Sequence, residues 1–262
     1  MYNRGGIIMH EFVTHLLRRN NSDLEIDLFN EWHFLYLFLI FGVAILLSVM
    51  WRKKSPASCE TLLRALACAV IGLYILDFFC MPLSDSYDGM STDKLPFHFC
   101  TFIGVCVPFA QYNARFASLK KVIAVLAVTS SLMYLCYPGS ALGDIPPFCY
   151  KVVQTFAFHG CLLIWGVLNL SLGTVELRWK TIWHEYVAVL GIMAWAAFGN
   201  ALYADYNWFF IKESFFEWIP VKLMPAVVLF CVYGSTFVVY CGYFAIRALA
   251  KKHPNKTELI AA

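Results

Sequence analysis

Residues 32–51, WHFLYLFLIFGVAILLSVMW, run for twenty positions without a Lys, Arg, Asp or Glu. Wound as a helix at about 1.5 Å per residue, the stretch reaches about 30 Å, the thickness of a bilayer's hydrocarbon core. It reads as a membrane-spanning helix, and six further stretches read the same way: 61–79, 95–112, 119–137, 148–172, 181–203 and 221–247. The connections between them are short and polar or rich in proline, such as RKKSP at 52–56 and PGSALGDIPP at 138–147. None is long enough to fold alone, and neither an internal repeat nor a low-complexity tract interrupts them. The expectation is an all-α membrane protein, a single seven-helix bundle. Its expected parts are a polar N-terminal segment at 1–31, the transmembrane domain at 32–247 and a basic tail at 248–262.

Composition supports that reading. Of 262 residues, 60% are hydrophobic and only 14% charged, with a mean hydropathy of +0.65. A soluble domain carries roughly 25% charged residues, so this chain lacks the polar groups to cover a water-facing surface. The same numbers exclude a disordered, collagen-like or coiled-coil protein.

Charge placement predicts orientation. Giving the first, third and fifth connections and the tail to one side puts thirteen of the twenty basic residues there, against four of the seventeen acidic ones. Lys and Arg favour the cytoplasmic side, so the N-terminus is expected outside and the tail inside. Residues 1–31 show no short apolar run before a small-residue cleavage site, so the first span is expected to serve as the targeting signal. The expected location is the cell membrane, crossed several times. The basic residues are explained by topology, and nucleic-acid binding is not expected.

Polar groups inside hydrocarbon are costly and mark functional candidates. Asp77, His98, Cys100, Gln154, His159 and Asn200 all fall in the outer half of the bilayer on this orientation, where random placement would scatter them. The alternative for any one of them is an ordinary hydrogen bond between helices. His33 is expected to face either headgroups or this cluster. Lys151 is expected to reach the outer interface, and His184 and Glu185 the inner one. Counting about 1.5 Å per residue puts His159 roughly 11 Å deeper than His98, so an uneven start to the third span at Pro96 would be needed to bring them together.

The ten cysteines show no CxxC, HxxxH or HExxH spacing, and no metal site or cofactor is expected. Most read as packing residues, although a disulfide between two of Cys80, Cys136 and Cys149 stays open. There is no GxSxG, Walker A or dinucleotide fingerprint.

Three stretches carry a resemblance: LPFHFC at 95–100, FHGCLLIWGV at 158–167 and FGNALYADYNWFF at 198–210. Over residues 30–245 the chain resembles the YwaF-type integral membrane proteins, whose distant eukaryotic relatives include transmembrane protein 164. The bacterial members have no established activity. The eukaryotic relative implies phospholipid acyl transfer from a cysteine nucleophile in a Pro-Cys-His motif. Here that motif reads Pro96-Phe97-His98, so Phe97 stands at the nucleophile position and Cys100 is displaced from it. His98 matches the motif histidine and His159 the fifth-helix histidine.

The leading expectation is a lipid acyltransferase or related lipid-modifying enzyme. Its catalytic residues would be His98 and His159, with Cys100 the candidate thiol, and its orienting groups Asp77, Gln154 and Asn200. Its partners would be membrane lipids, as acyl donor and acceptor. Residues two apart on a helix do not face each other, so a base for Cys100 would have to come from another helix. The rival is a non-enzymatic transporter or receptor that binds a small solute or proton at the same cluster. A third reading is a scaffold subunit in which these groups only bridge helices.

Overall fold

Asn30 opens the first helix by accepting a hydrogen bond from the His33 backbone N–H at 3.0 Å, the usual way a side chain satisfies a donor that the first helical turn leaves bare. The computed structural model describes residues 26–80, 94–143, 146–212, 214 and 218–252. Asp85, Asp88, Asp93 and Asp144, which contribute to the charge asymmetry, lie outside the described residues. So do most of the N-terminal segment and of the tail.

Seven α-helices cross the described residues: α1 Glu31–Trp51, α2 Pro56–Cys80, α3 Phe99–Tyr112, α4 Lys120–Cys136, α5 Tyr150–Ser171, α6 Trp183–Leu202 and α7 Met224–Lys252. Six, counted with their short 3-10 extensions, are long and apolar enough to cross a membrane. The exception is α3. Its fourteen residues span only about 21 Å at about 1.5 Å each, and the turn and bend residues Lys94–His98 precede it. The third span was expected to be helical from residue 95. Instead His98 is the N-cap of α3, in extended conformation at φ −74° and ψ 149°. A residue before proline is pushed away from helical geometry, which favours such a late start.

The helices are not equivalent. α5 is 78% buried over its apolar window and α4, counted with its 3-10 extension, 61%, whereas α1 is 11% buried. α4 and α5 therefore form the centre. α1 and α2 pack against α5, α3 against α2 and α4, and α6 and α7 close the remaining side against α4. The most hydrophobic helix, α1, is the least buried, as expected where the surrounding solvent is lipid.

Close approach at the centre depends on Gly166. A methyl added there would sit 2.7 Å from the Ala124 carbonyl oxygen and 2.7 Å from Val128 Cγ2. Small residues let helix backbones meet at this range, and the gain is dispersion contact along the whole interface. On the neighbouring face Gly160 meets Ile40 of α1, and Tyr36 of α1 stacks on Phe156 at 4.3 Å between ring centroids.

His33 serves this packing and neither the headgroups nor the cluster. It is fully buried. Its Nε2 donates to the Leu135 carbonyl at 2.9 Å, and its Nδ1 accepts from the Phe29 N–H at 3.0 Å. Both ring nitrogens are thereby satisfied, tying the start of α1 to the end of α4.

Glu185 also departs from expectation. It was expected at the interface but is 0% exposed, with the Lys121 Nζ 2.9 Å from its Oε1. The same ammonium donates to Thr181 Oγ1 at 2.9 Å and to the Thr181 carbonyl at 3.3 Å. Its charge pairing with Glu185 and two hydrogen bonds to Thr181 let Lys121 follow the carboxylate inside.

Gly166 and Gly42 should respond oppositely to alanine. Around Gly42 an added methyl meets nothing within 4 Å, so Gly42→Ala should gain up to about 1 kcal/mol from helix propensity. Gly166→Ala should lower the thermal midpoint of the purified protein, because backbone must move to admit it. Equal midpoints for the two variants would contradict the packing described.

Candidate functional site

Asp77, Gln154 and His159 lie where α2 and α4 end and α5 begins, and the segment that carries His98 is tied to Asp77 through Lys94. His159 is buried. Its Nδ1 lies 2.8 Å from the Thr155 carbonyl oxygen, one turn earlier in α5. A carbonyl only accepts, so Nδ1 carries the proton and Nε2 carries the lone pair. The ring stacks on Tyr134 of α4 at 3.7 Å and 8°, and meets Phe158 edge-on at 5.1 Å. These contacts fix the plane of the imidazole as well as its tautomer. Nε2 has no hydrogen-bond partner among the described residues.

Above His159, α5 carries a polar ladder. Thr155 Oγ1 donates to Gln154 Oε1 at 3.4 Å, and Gln154 Nε2 donates to the Leu73 carbonyl of α2 at 3.3 Å. Tyr150, one turn before Gln154, donates from its hydroxyl to Asp77 Oδ1 at 3.3 Å. Asp77 is buried and holds Lys94 Nζ at 2.9 Å on its other oxygen. Tyr74, one turn before Asp77, donates to the Lys94 carbonyl at 2.6 Å. An isolated carboxylate here would be prohibitive, and the Lys94 ammonium with the Tyr150 phenol makes it tolerable.

Lys94 opens the segment that carries His98, and that segment is held from both sides. On the α2 side are the contacts to Asp77 and Tyr74. On the α6 side Trp195 Nε1 donates to the Pro96 carbonyl at 2.9 Å. The Phe97 ring lies so close to Gly199 that a methyl there would be 2.5 Å from its atoms. Phe97 is buried against Trp195 at 4.9 Å and Trp208 at 4.7 Å. The position at which the resemblance places a nucleophile is therefore filled by a packed aromatic ring. His98 follows, partly exposed, with its ring 6.4 Å from Phe210.

Cys100 and Asn200 occupy different surroundings. The Cys100 thiol donates to the Ser130 carbonyl of α4 at 3.5 Å. Asn200 Nδ2 donates to the Trp208 carbonyl at 2.9 Å, and its Oδ1 accepts the Trp208 N–H at 2.8 Å. Both ends of that amide clamp the loop that returns after α6. All ten cysteines are free thiols, so Cys80, Cys136 and Cys149 are unpaired with one another. Among the described residues no three His, Cys, Asp or Glu side chains come together as a metal-holding group.

The sequence reading missed Lys94, Tyr74, Tyr134 and Tyr150. The two tyrosines of α2 and α5 had a usable signal: Tyr150 stands four residues before Gln154, and Tyr74 three before Asp77, so each shares a helix face with a flagged residue. Lys94 was assigned to a connection by charge counting alone. Nothing in the sequence marks Tyr134.

The sequence model of the TMEM164 family matches residues 28–245. The chain belongs to the TMEM164 family. This TMEM164-family protein is accordingly a polytopic membrane protein, as its seven apolar helices require. No curated protein and no solved structure matches it.

If the Asp77–Lys94 pair holds His98 in place, Asp77→Asn or Lys94→Gln should each raise the rate at which diethyl pyrocarbonate modifies His98 severalfold, read by peptide mass spectrometry. Exposed His184 serves as internal reference. The exchanged pair, Asp77→Lys with Lys94→Asp, should return the rate toward wild type. An unchanged His98 rate in both single variants would show the pair to be irrelevant to it.

Proposed function

We propose that this protein transfers acyl groups between lipids within the membrane, with His159 and His98 handling the protons. The observation that carries this reading is the tautomer of His159: Nδ1–H is committed to the Thr155 carbonyl, so Nε2 is left as a neutral base. A base alone could equally serve a proton carrier; what favours catalysis is that the ring is immobilised by stacking on Tyr134.

In the proposed reaction Nε2 of His159 takes the proton of an acceptor hydroxyl as its oxygen attacks the ester carbonyl of a donor lipid. The new C–O bond forms and charge collects on the carbonyl oxygen, where His98 and Lys94 stabilise it. The donor C–O bond then breaks, and the proton returns from His159 to the departing oxygen. Asp77 orients Lys94, and Gln154 with Thr155 holds the α5 ladder. Asn200 acts at a distance, through the loop it clamps. Cys100 is given no covalent role: its thiol is engaged with α4, and the motif position belongs to Phe97.

The proposal includes one transmembrane domain at 32–247 and the orientation predicted from charge, N-terminus outside and tail in the cytoplasm of a cell-membrane protein. The site then opens in the outer leaflet. A fluorescent protein fused after Ala262 should fluoresce in the cytoplasm. Activity of a periplasmic or extracellular reporter at the same place would reverse the assignment.

The test of the chemistry is transfer of a fluorescent acyl chain to a lysophospholipid by the purified protein in vesicles. His159→Gln and His98→Ala should each lower the rate by about 100-fold or more, the range over which general acid–base groups contribute. Cys100→Ser should keep most of it. A hydroxylamine-labile acyl adduct on Cys100 would contradict the mechanism and establish a thioester route. Wild-type protein without transfer under these conditions would favour the binding reading.

A further inference from the structure

A groove of about 550 Å³ opens at the opposite end of the bundle from His98, between the start of α4, the 3-10 turn Trp179–Thr181 and the first turns of α6. Its lining is divided. Polar side chains come from the connections and helix starts: Ser118, Lys121, Arg178, Thr181 and His184. The other wall is apolar, and its outer parts face outward, with Trp183 54% and Val187 55% exposed. In a bilayer that wall meets acyl chains while the polar half lies at headgroup level. A protein substrate or soluble ligand would have no use for the lipid-facing wall.

The charge of the groove is settled by its partners. Lys121 has its ammonium committed to Glu185 and Thr181. Glu176, the acid of the lining, is shared between Arg178 at 3.5 Å and Arg247 at 3.7 Å, so one carboxylate serves two guanidiniums. His184 gives its Nδ1–H to the Thr181 carbonyl at 2.9 Å and stacks on Trp183 at 4.0 Å. Its Nε2, left with the lone pair, can accept from a headgroup hydroxyl but not from a phosphate oxygen. Arg178 brings a planar fork of donors suited to phosphate. Lys180 adds positive charge next to the lining residues along the chain, whereas Lys120 is paired with Glu60 at 3.9 Å.

We propose that this groove binds an anionic phospholipid, its phosphate at Arg178 and one acyl chain along Val187 and Ala188. The site is independent of the chemistry proposed at the other end. On the orientation above it faces the cytoplasmic leaflet, where anionic lipids and basic residues meet. The lipid bridges two connections, Ala114–Leu119 and Trp179–Thr181, so its binding stabilises the folded protein by mass action.

The test uses purified full-length protein in detergent, with lipid retention read by native mass spectrometry and stability by the thermal midpoint. Dioleoylphosphatidylglycerol is the anionic probe, dioleoylphosphatidylcholine the zwitterionic control and glycerol 3-phosphate the water-soluble phosphate. Phosphatidylglycerol should be retained and should raise the midpoint, and the other two should do neither. Arg178→Gln should weaken retention about fivefold, as expected for one basic side chain at an anionic headgroup. Val187→Asp, which leaves the basic groups intact, should weaken it by placing a charge on the acyl wall. Equal retention of the two phospholipids would overturn the proposal, as would retention unaffected by either substitution. A full effect from glycerol 3-phosphate would instead make this a free-phosphate site. If a variant lacks the wild-type elution profile, retention by Arg178→Lys, which keeps the charge but loses the fork, decides: unchanged retention rejects the assigned phosphate geometry.

Discussion

Everything in this bundle depends on one constraint: a helix buried on nearly all sides inside a membrane must satisfy its polar groups with protein, because lipid offers no hydrogen bonds. α5 is that helix. Gly166 lets it press against the Ala124 carbonyl of α4, and burial of the rest of its surface follows from that contact. Its polar side chains then have to find partners within reach. Gln154 turns to the Leu73 carbonyl, Asn169 to the Trp165 carbonyl, and His159 to the Thr155 carbonyl. The tautomer of His159 is thus a consequence of packing, set before any substrate arrives.

The same constraint separates the two ends of the molecule. At the His98 end the buried carboxylate of Asp77 is met by Lys94, Tyr150 and, through the Lys94 backbone, Tyr74. At the other end Glu185 is met by Lys121, whose remaining donors are absorbed by Thr181. Both are ion pairs held inside the fold, but the histidine beside the second, His184, is exposed, whereas α5 carries the buried His159 on the side of the first. That difference, more than the presence of buried charge, makes the His98 end the candidate for chemistry. Removing one partner of either pair leaves a charge with no water to receive it, a loss of roughly 3–5 kcal/mol.

The spans were legible because twenty apolar residues in a row admit few readings. The central place of α5 was not read from the sequence, although Gln154, Thr155, His159 and Asn169 on one helix were a usable sign of it. What the sequence hid was set by tertiary contacts. Glu185 looked interfacial because a Glu beside a His at a helix start usually reaches for headgroups, and only the fold supplies the Lys121 that lets it stay inside. His98 looked helical because hydropathy does not register the bend that Pro96 and the Phe97–Gly199 contact impose. Asn200 looked like a site residue because its clamp partner is backbone, which leaves no mark in a side-chain pattern. Phe97 shows the reverse case. As a departure from the motif it was visible in the sequence, and the fold adds that its ring is wedged among Gly199, Trp195 and Trp208.

The most direct test of the central claim is the protonation pattern of His159 itself. Histidine-selective ¹⁵N labelling and solid-state NMR in lipid bilayers, assigned with a His159→Gln variant, reports each ring nitrogen separately. At neutral pH the account predicts a protonated Nδ1 and an unprotonated Nε2. A ring protonated at Nε2 alone, or at both nitrogens, would contradict it, because the base on which the proposed transfer depends would not exist.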